Sequence, residues 1–229
     1  MKKMTMYTEV FYLVGAMLIA IGNSLYAFAD FGMSMVVAPA YVLHLAVVDT
    51  LPWFSFGVAE YAIQALIIVA LIIMTKRVKV RFFLSFATTL VYGVFLDLFM
   101  VVIALLPSLM AVRVVAYVLG VLLAALGVAA LFTPYFPPGL YEVLVQEIVN
   151  RWHLRLGVVK TVYDMCSLVV AVGLSLLLFG SLRGIGIGTI PCAFLNGTLI
   201  HCFCKIYNRI FAFKDALPWR PFFEGKEKE

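Results

Sequence analysis

The sequence predicts an all-α, polytopic membrane protein with six transmembrane helices, two short re-entrant or interfacial helices and an inverted 3+3 repeat. Three observations carry that prediction. Of 229 residues, 65% are hydrophobic and 13% charged, with a mean hydropathy of +1.08. A soluble domain is about half apolar and a quarter charged, so a soluble enzyme, a nucleic-acid-binding domain and a disordered chain are excluded. Six segments reach the ~20 apolar residues that a helix needs to cross a bilayer. The two halves of the chain also repeat the same order of elements.

The first span is 9–29. Lys2 and Lys3 precede it, and Ala27-Phe28-Ala29 at its end has the form of a signal-peptidase site. The run is too long for a signal h-region and has a twin at 111–132, so it reads as a retained helix. The segment 34–48 is helical but only about 22 Å long at 1.5 Å per residue, short of a ~30 Å hydrocarbon core. Spans at 57–75 and 82–106 complete the first repeat, residues 1–109. The second repeat, 110–210, holds spans 111–132, 157–179 and 187–210 and a short helix 139–150. Residues 211–229, with Pro218, Pro221 and a closing Gly-Lys-Glu-Lys-Glu, read as a cytoplasmic tail without its own fold.

Basic residues decide whether the short segments cross. With six crossings and an inside N-terminus, only Arg113 and Arg183 fall outside, and Lys160 lies within a span. With eight crossings, Lys76, Arg77, Lys79 and Arg81 all move outside. The positive-inside rule favours six, with both termini cytoplasmic. The net charge of +5 then reflects membrane orientation rather than an acidic partner.

At an offset of 105, Tyr12, Gly15, Leu18, Ala20, Gly22 and Phe31 meet Tyr117, Gly120, Leu123, Ala125, Gly127 and Phe136. At an offset of 100 Gly57 meets Gly157, and at 104 Gly93 and Phe99 meet Gly197 and Phe203. Three crossings per half is an odd number, so the second half is inverted. Inverted repeats are typical of secondary transporters, whose sites lie near the midplane beside discontinuous helices. A duplicated scaffold without transport is the plain alternative.

Ionisable groups inside spans mark pathways or pairs. The inverted topology sorts them into an outer cluster of His44, Glu60, Gln64 and Asp97, and an inner one of Glu142, Glu147, Lys160, Asp164 and His201. Each cluster is expected to line one gate, with Glu60 and Lys160 in opposite leaflets. The alternative is that Lys160 snorkels and pairs with Asp164 on its own helix, with Glu60 at the interface.

Helix 139–150 has the sharpest pattern. Glu142, Gln146, Glu147 and Asn150 form one polar stripe, and Pro137-Pro138-Gly139 breaks the chain just before it. Glu142, in the first turn, suits the helix dipole. It either faces a polar cavity and binds a cationic group or a proton, or belongs to an amphipathic helix lying in the interface.

Gly184-Ile185-Gly186-Ile187-Gly188-Thr189 lacks the Lys-Ser/Thr of a phosphate loop. Its glycines allow a tight turn and close packing, a face that Asn196 and Gly197 continue. His201 and Cys204 share a face of soft ligands, but third and fourth ligands are not evident, so no metal is expected. Cys166, Cys192, Cys202 and Cys204 all fall in apolar runs and read as free thiols. No catalytic triad or zinc-protease pattern is present, so no enzyme and no cofactor are expected.

Phe31-Gly32-Met33-Ser34, Gly139-Leu140-Tyr141-Glu142, and Gly186-Ile187-Gly188-Thr189 with Ala193 and Gly197 resemble the YczE/YitT-like bacterial membrane proteins. The resemblance covers most of 10–205. In that family each short helix begins with a Pro-x-Asp element. Glu142 matches its acid in the second half, whereas Val37 stands there in the first. The resemblance implies a bacterial inner-membrane transporter without an assigned substrate.

The expectation is therefore secondary transport of a small polar metabolite by alternating access, proton-coupled through Glu142, Asp164 or His201. Glu142, Asp164, His201, Asp97, Gln146 and Asn196 are the candidate binding residues. Gly139, Gly186, Gly188, Thr189, Gly197, Lys160 and Glu60 are the candidate structural or gating residues. The expected partners are the lipid bilayer and a small molecule, with no nucleic acid. A homo-oligomer, a binding subunit with an energising partner, and a ligand-free scaffold or regulatory protein stay open.

Overall fold

The computed structural model describes residues 4–132 and 138–214. Lys2, Lys3, Phe136, Pro137 and the tail beyond Lys214 lie outside the described residues, as does the side chain of Ala193. Among the described residues there are eight helices: α1 (Thr8–Ala29), α2 (Ala38–Val47), α3 (Phe56–Thr75), α4 (Val80–Ile103), α5 (Met110–Leu131), α6 (Leu140–Trp152), α7 (Leu156–Phe179) and α8 (Thr189–Ile210). Within α1, α3, α4, α5 and α7 the chain is long and apolar enough to cross a membrane. The eighth helix is equally long, but Asn196, His201, Lys205 and Arg209 make it more polar.

Local chemistry sets the helix ends. Residues Asp30, Lys76 and His153 adopt the left-handed conformation that stops α1, α3 and α6, and Gly180 does the same for α7. Helix α2 begins four residues later than its apolar pattern. Ser34 accepts from the amides of Val37 and Ala38 in a separate turn, and Pro39 then sits in the first helical turn, where its missing N–H costs nothing.

Glycines fix the centre of the bundle. A Cβ on Gly15 would stand 3.1 Å from the Gly127 carbonyl oxygen, and one on Gly120 would stand 3.0 Å from that of Gly22. Helices α1 and α5 therefore cross antiparallel in backbone contact, as small-residue faces allow. Around that pair α1 packs on α4, and α5 on α8. Helix α3 packs on α2, α4 and α6, while α7 packs on α2 and α6.

One correction concerns the C-terminal segment. Residues 211–214 are not structureless: Phe211–Lys214 forms a strand, β2, parallel to β1 (Met4–Tyr7), with Met4 opposite Phe211. The rings of Phe211 and Phe213 pack on Phe11 at 5.6 and 5.1 Å, and that aromatic contact holds the segment against α1. The start of α1 and the end of α8 thus lie at the same end of the bundle.

Candidate functional site

The first turns of the two short helices meet at one cavity. Ser34–Val37, leading into α2, and Pro138–Glu142, leading into α6, line a space of about 360 Å³ together with the middles of the long helices. The polar groups that the long helices give it include Asn23 from α1, Gln64 from α3, Thr88, Thr89 and Tyr92 from α4, Lys160, Thr161 and Asp164 from α7, and Asn196 from α8. The Glu142 carboxylate folds back over Gly139, to 3.0 Å from where a Cβ would stand.

Charge in the cavity is unbalanced. Lys160 Nζ donates to Asp164 Oδ1 at 2.9 Å along α7, so those two neutralise one another. Glu142 has no ion-pair partner among the described residues, although Lys160 is near enough to act on it electrostatically. The Oδ1 atom of Asn196 is buried without a hydrogen-bond partner among the described residues. A buried acceptor of this kind asks for a donor.

Behind the wall lies a second acid. Glu60 is 0% exposed. Its Oε2 accepts from the Tyr141 hydroxyl at 2.9 Å and from Gln64 Nε2 at 3.1 Å. Thr89 in turn donates to Gln64 Oε1 at 2.5 Å, and Asn23 Nδ2 donates to the Tyr92 hydroxyl at 2.8 Å. Oε1 of Glu60 has no partner among the described residues.

The structure redistributes the two clusters expected from sequence. Gln64, expected in the outer one, lines the same cavity as Glu142, and Glu60 is tied to α6 through Tyr141. The two clusters are therefore not apart, because the first turn of α6 reaches Glu60 through the Tyr141 hydroxyl. Asp97 lies outside the cavity. It accepts from Ser55 Oγ at 2.6 Å and from the Gly57 amide at 2.7 Å, capping the start of α3. His44 Nδ1 bonds the Phe54 carbonyl at 2.9 Å. Gln146 and Glu147 turn to the start of α4, where they meet Arg81 at 2.6 Å and Lys79 at 2.6 Å. The α6 stripe is thus divided: only Glu142 faces the cavity. His201 is exposed and does not line it.

The glycine segment before α8 packs rather than binds. The Gly188 amide donates to the Phe31 carbonyl at 2.8 Å and the Met33 amide to the Gly184 carbonyl at 3.0 Å. A Cβ on Gly186 would meet the Phe31 oxygen at 2.4 Å. Thr189 Oγ1 accepts from the Gly186 amide at 3.3 Å. These bonds join the end of α1 to the start of α8 and close that end of the bundle. Asn23, Thr88, Thr89 and Tyr92 belong to no motif of the sequence, and Tyr141 enters one only within Gly139-Leu140-Tyr141-Glu142. Polar residues in apolar runs were the available signal. Among the described residues no three His, Cys, Asp or Glu side chains gather as metal ligands.

No curated protein and no solved structure matches the chain. One family model matches residues 6–205, from β1 into α8, and the chain belongs to the family of unknown function DUF6198.

Proposed function

We propose that the chain is a transporter that moves a small polar molecule bearing a cationic group through this cavity by alternating access. The carrying observation is the cavity itself, where among the described residues Glu142 has no ion-pair partner and Asn196 Oδ1 has no donor. A protonated amine satisfies both groups, since ammonium is all donor and positively charged. The largely apolar remainder, including Ile19, Val36, Val128 and Ile200, suits the rest of the molecule, as in most small-molecule sites. Coupling to protons runs through Glu142.

An inverted repeat of six crossings supports this reading. Equivalent glycines exchange partners across the α1–α5 crossing, Gly15 with Gly127 and Gly22 with Gly120. The Tyr12 hydroxyl bonds Thr88, and their counterparts Tyr117 and Cys192 lie close enough to act on one another electrostatically. Contacts of α3 with α6 and of α7 with α2 match under the same exchange. Short helices whose starts meet at mid-depth are a recurring transporter feature. In this topology α8 is the sixth span, both termini are cytoplasmic, and the similarity to YczE/YitT-like proteins argues for a bacterial inner membrane.

The test is thermal unfolding of the purified full chain against a library of small amines and other metabolites, with Glu142→Gln in parallel. A ligand of the folded state at a hundred times its Kd stabilises by about 2.7 kcal/mol. A concentration-dependent shift from amines that Glu142→Gln abolishes supports the proposal. A shift from anionic compounds alone, or one that Glu142→Gln leaves intact, refutes it.

A further inference from the structure

Two seams of the bundle are equivalent by sequence and unlike in structure. Between α3 and α4, Gly57 and Gly93 permit close contact. A Cβ on Gly57 would stand 2.6 Å from the Gly93 carbonyl oxygen, and one on Gly93 would stand 2.3 Å from the Tyr61 ring. Tyr61 lies across Gly93, and its hydroxyl donates to the Leu90 carbonyl at 3.0 Å. The counterparts of Gly57 and Gly93 are Gly157 on α7 and Gly197 on α8. Among the described residues nothing lies within 4 Å of a Cβ built on either one. Both are exposed, and both line the cavity. Helix α7 takes its packing from α2 and α6.

A glycine inside a helix lowers that helix's stability and returns the loss only where another backbone comes close. Gly197, inside α8, carries that cost here, and among the described residues neither it nor Gly157, in the first turn of α7, makes a close contact. Resting on the repeat and on the cavity as a binding site, we propose that the α7–α8 seam is the gate of the cavity. It closes by bringing Gly157 and Gly197 into the contact that Gly57 and Gly93 already make. Closure places Thr161, the counterpart of Tyr61, across Gly197, and encloses Lys160, Asp164 and Asn196 around the occupant. It also sets His201 at the start of α7, as Asp97 stands at the start of α3. The seam between α3 and α4 stays shut in the state seen here, so the two seams are the alternating gates.

The experiment is cysteine cross-linking in membranes. Gly157→Cys and Gly197→Cys are combined in a full chain whose Cys166, Cys202 and Cys204 are replaced by serine. Cys192, buried against Tyr26, is left. A disulfide needs Cβ atoms about 3.8 Å apart, so oxidation traps the closed seam and no other arrangement. The expected result is a cross-link in this pair and none in Gly157→Cys with Leu195→Cys, whose second position faces away on α8. Absence of the cross-link while each single cysteine still takes up a maleimide overturns the gate, as does equal cross-linking of both pairs. In a second readout, Gly197→Leu props the seam apart without lowering the melting temperature, because among the described residues nothing lies within 4 Å of a Cβ there. Thr161→Cys then labels faster with a water-soluble maleimide, and an unchanged rate counts against the proposal. Neither readout needs a ligand. An amine response without the cross-link removes the gate alone, whereas a cross-link in a protein that no compound stabilises removes the transport reading and keeps the gate.

Discussion

Replacing Gly22 with alanine tests the α1–α5 crossing against an internal control. A Cβ at Gly22 would stand 2.6 Å from the Ala124 backbone nitrogen, 2.8 Å from its Cβ and 2.9 Å from its Cα. Comfortable heavy-atom contacts are near 3.5–4.0 Å, so the two helices must part by about 1 Å. The obstacle is backbone, which no rotamer change can move aside. Overpacking of this kind costs about 1–3 kcal/mol. Alanine's better helix propensity returns about 1 kcal/mol, so the net loss is up to about 2 kcal/mol. At about 2–4 °C per kcal/mol for a chain of this size, the melting temperature falls by up to about 8 °C. Gly197→Ala carries only the propensity term, because nothing lies within 4 Å among the described residues, and melts up to about 4 °C higher. Thermal unfolding of the detergent-solubilised chain, followed by circular dichroism, reads both. Shifts of the same sign and size in the two variants refute the packing argument.

Asp97→Ala removes the acceptor for Ser55 Oγ and the Gly57 amide and lowers stability by about 1.5–3 kcal/mol, the range for hydrogen bonds to a charged group. A melting curve unchanged by that substitution removes the capping role. Tyr141→Phe takes one of two donors from Glu60 Oε2 and costs about 1–3 kcal/mol; a chain that melts as wild type would show the bond to be immaterial. Lys79 and Glu147 pair at 2.6 Å, but Lys79 remains 41% exposed. A double-mutant cycle is therefore expected to give a coupling of only ~0.2–1 kcal/mol, shrinking as salt is raised, and a larger, salt-independent coupling contradicts that.

The helices are legible in the order of residues alone. Runs of apolar residues and the Pro137-Pro138-Gly139 break before α6 are local signals. They located all eight helices to within a few residues of 8–29, 38–47, 56–75, 80–103, 110–131, 140–152, 156–179 and 189–210. The glycine spacing shared by the halves was equally legible, because a close helix crossing tolerates little else at Gly15, Gly22, Gly120 and Gly127.

What the polar side chains do depends on how the helices pack. Asp97 and Glu60 look alike in an apolar run, yet one caps α3 and the other accepts from Tyr141 far along the chain. The difference lies in a few ångströms of depth and some tens of degrees of helix rotation, and neither is written in a periodicity that only says which residues are apolar. For the same reason one polar stripe on α6 divides between the cavity and the start of α4. The strand at 211–214 was invisible because its partner lies at the opposite end of the chain, and a four-residue strand has no pattern of its own until Phe11 gives Phe211 and Phe213 a surface. The unequal seams at Gly57–Gly93 and Gly157–Gly197 have the same origin. Sequence gives both pairs glycines that permit contact, and whether contact is made depends on how the whole bundle packs around the cavity.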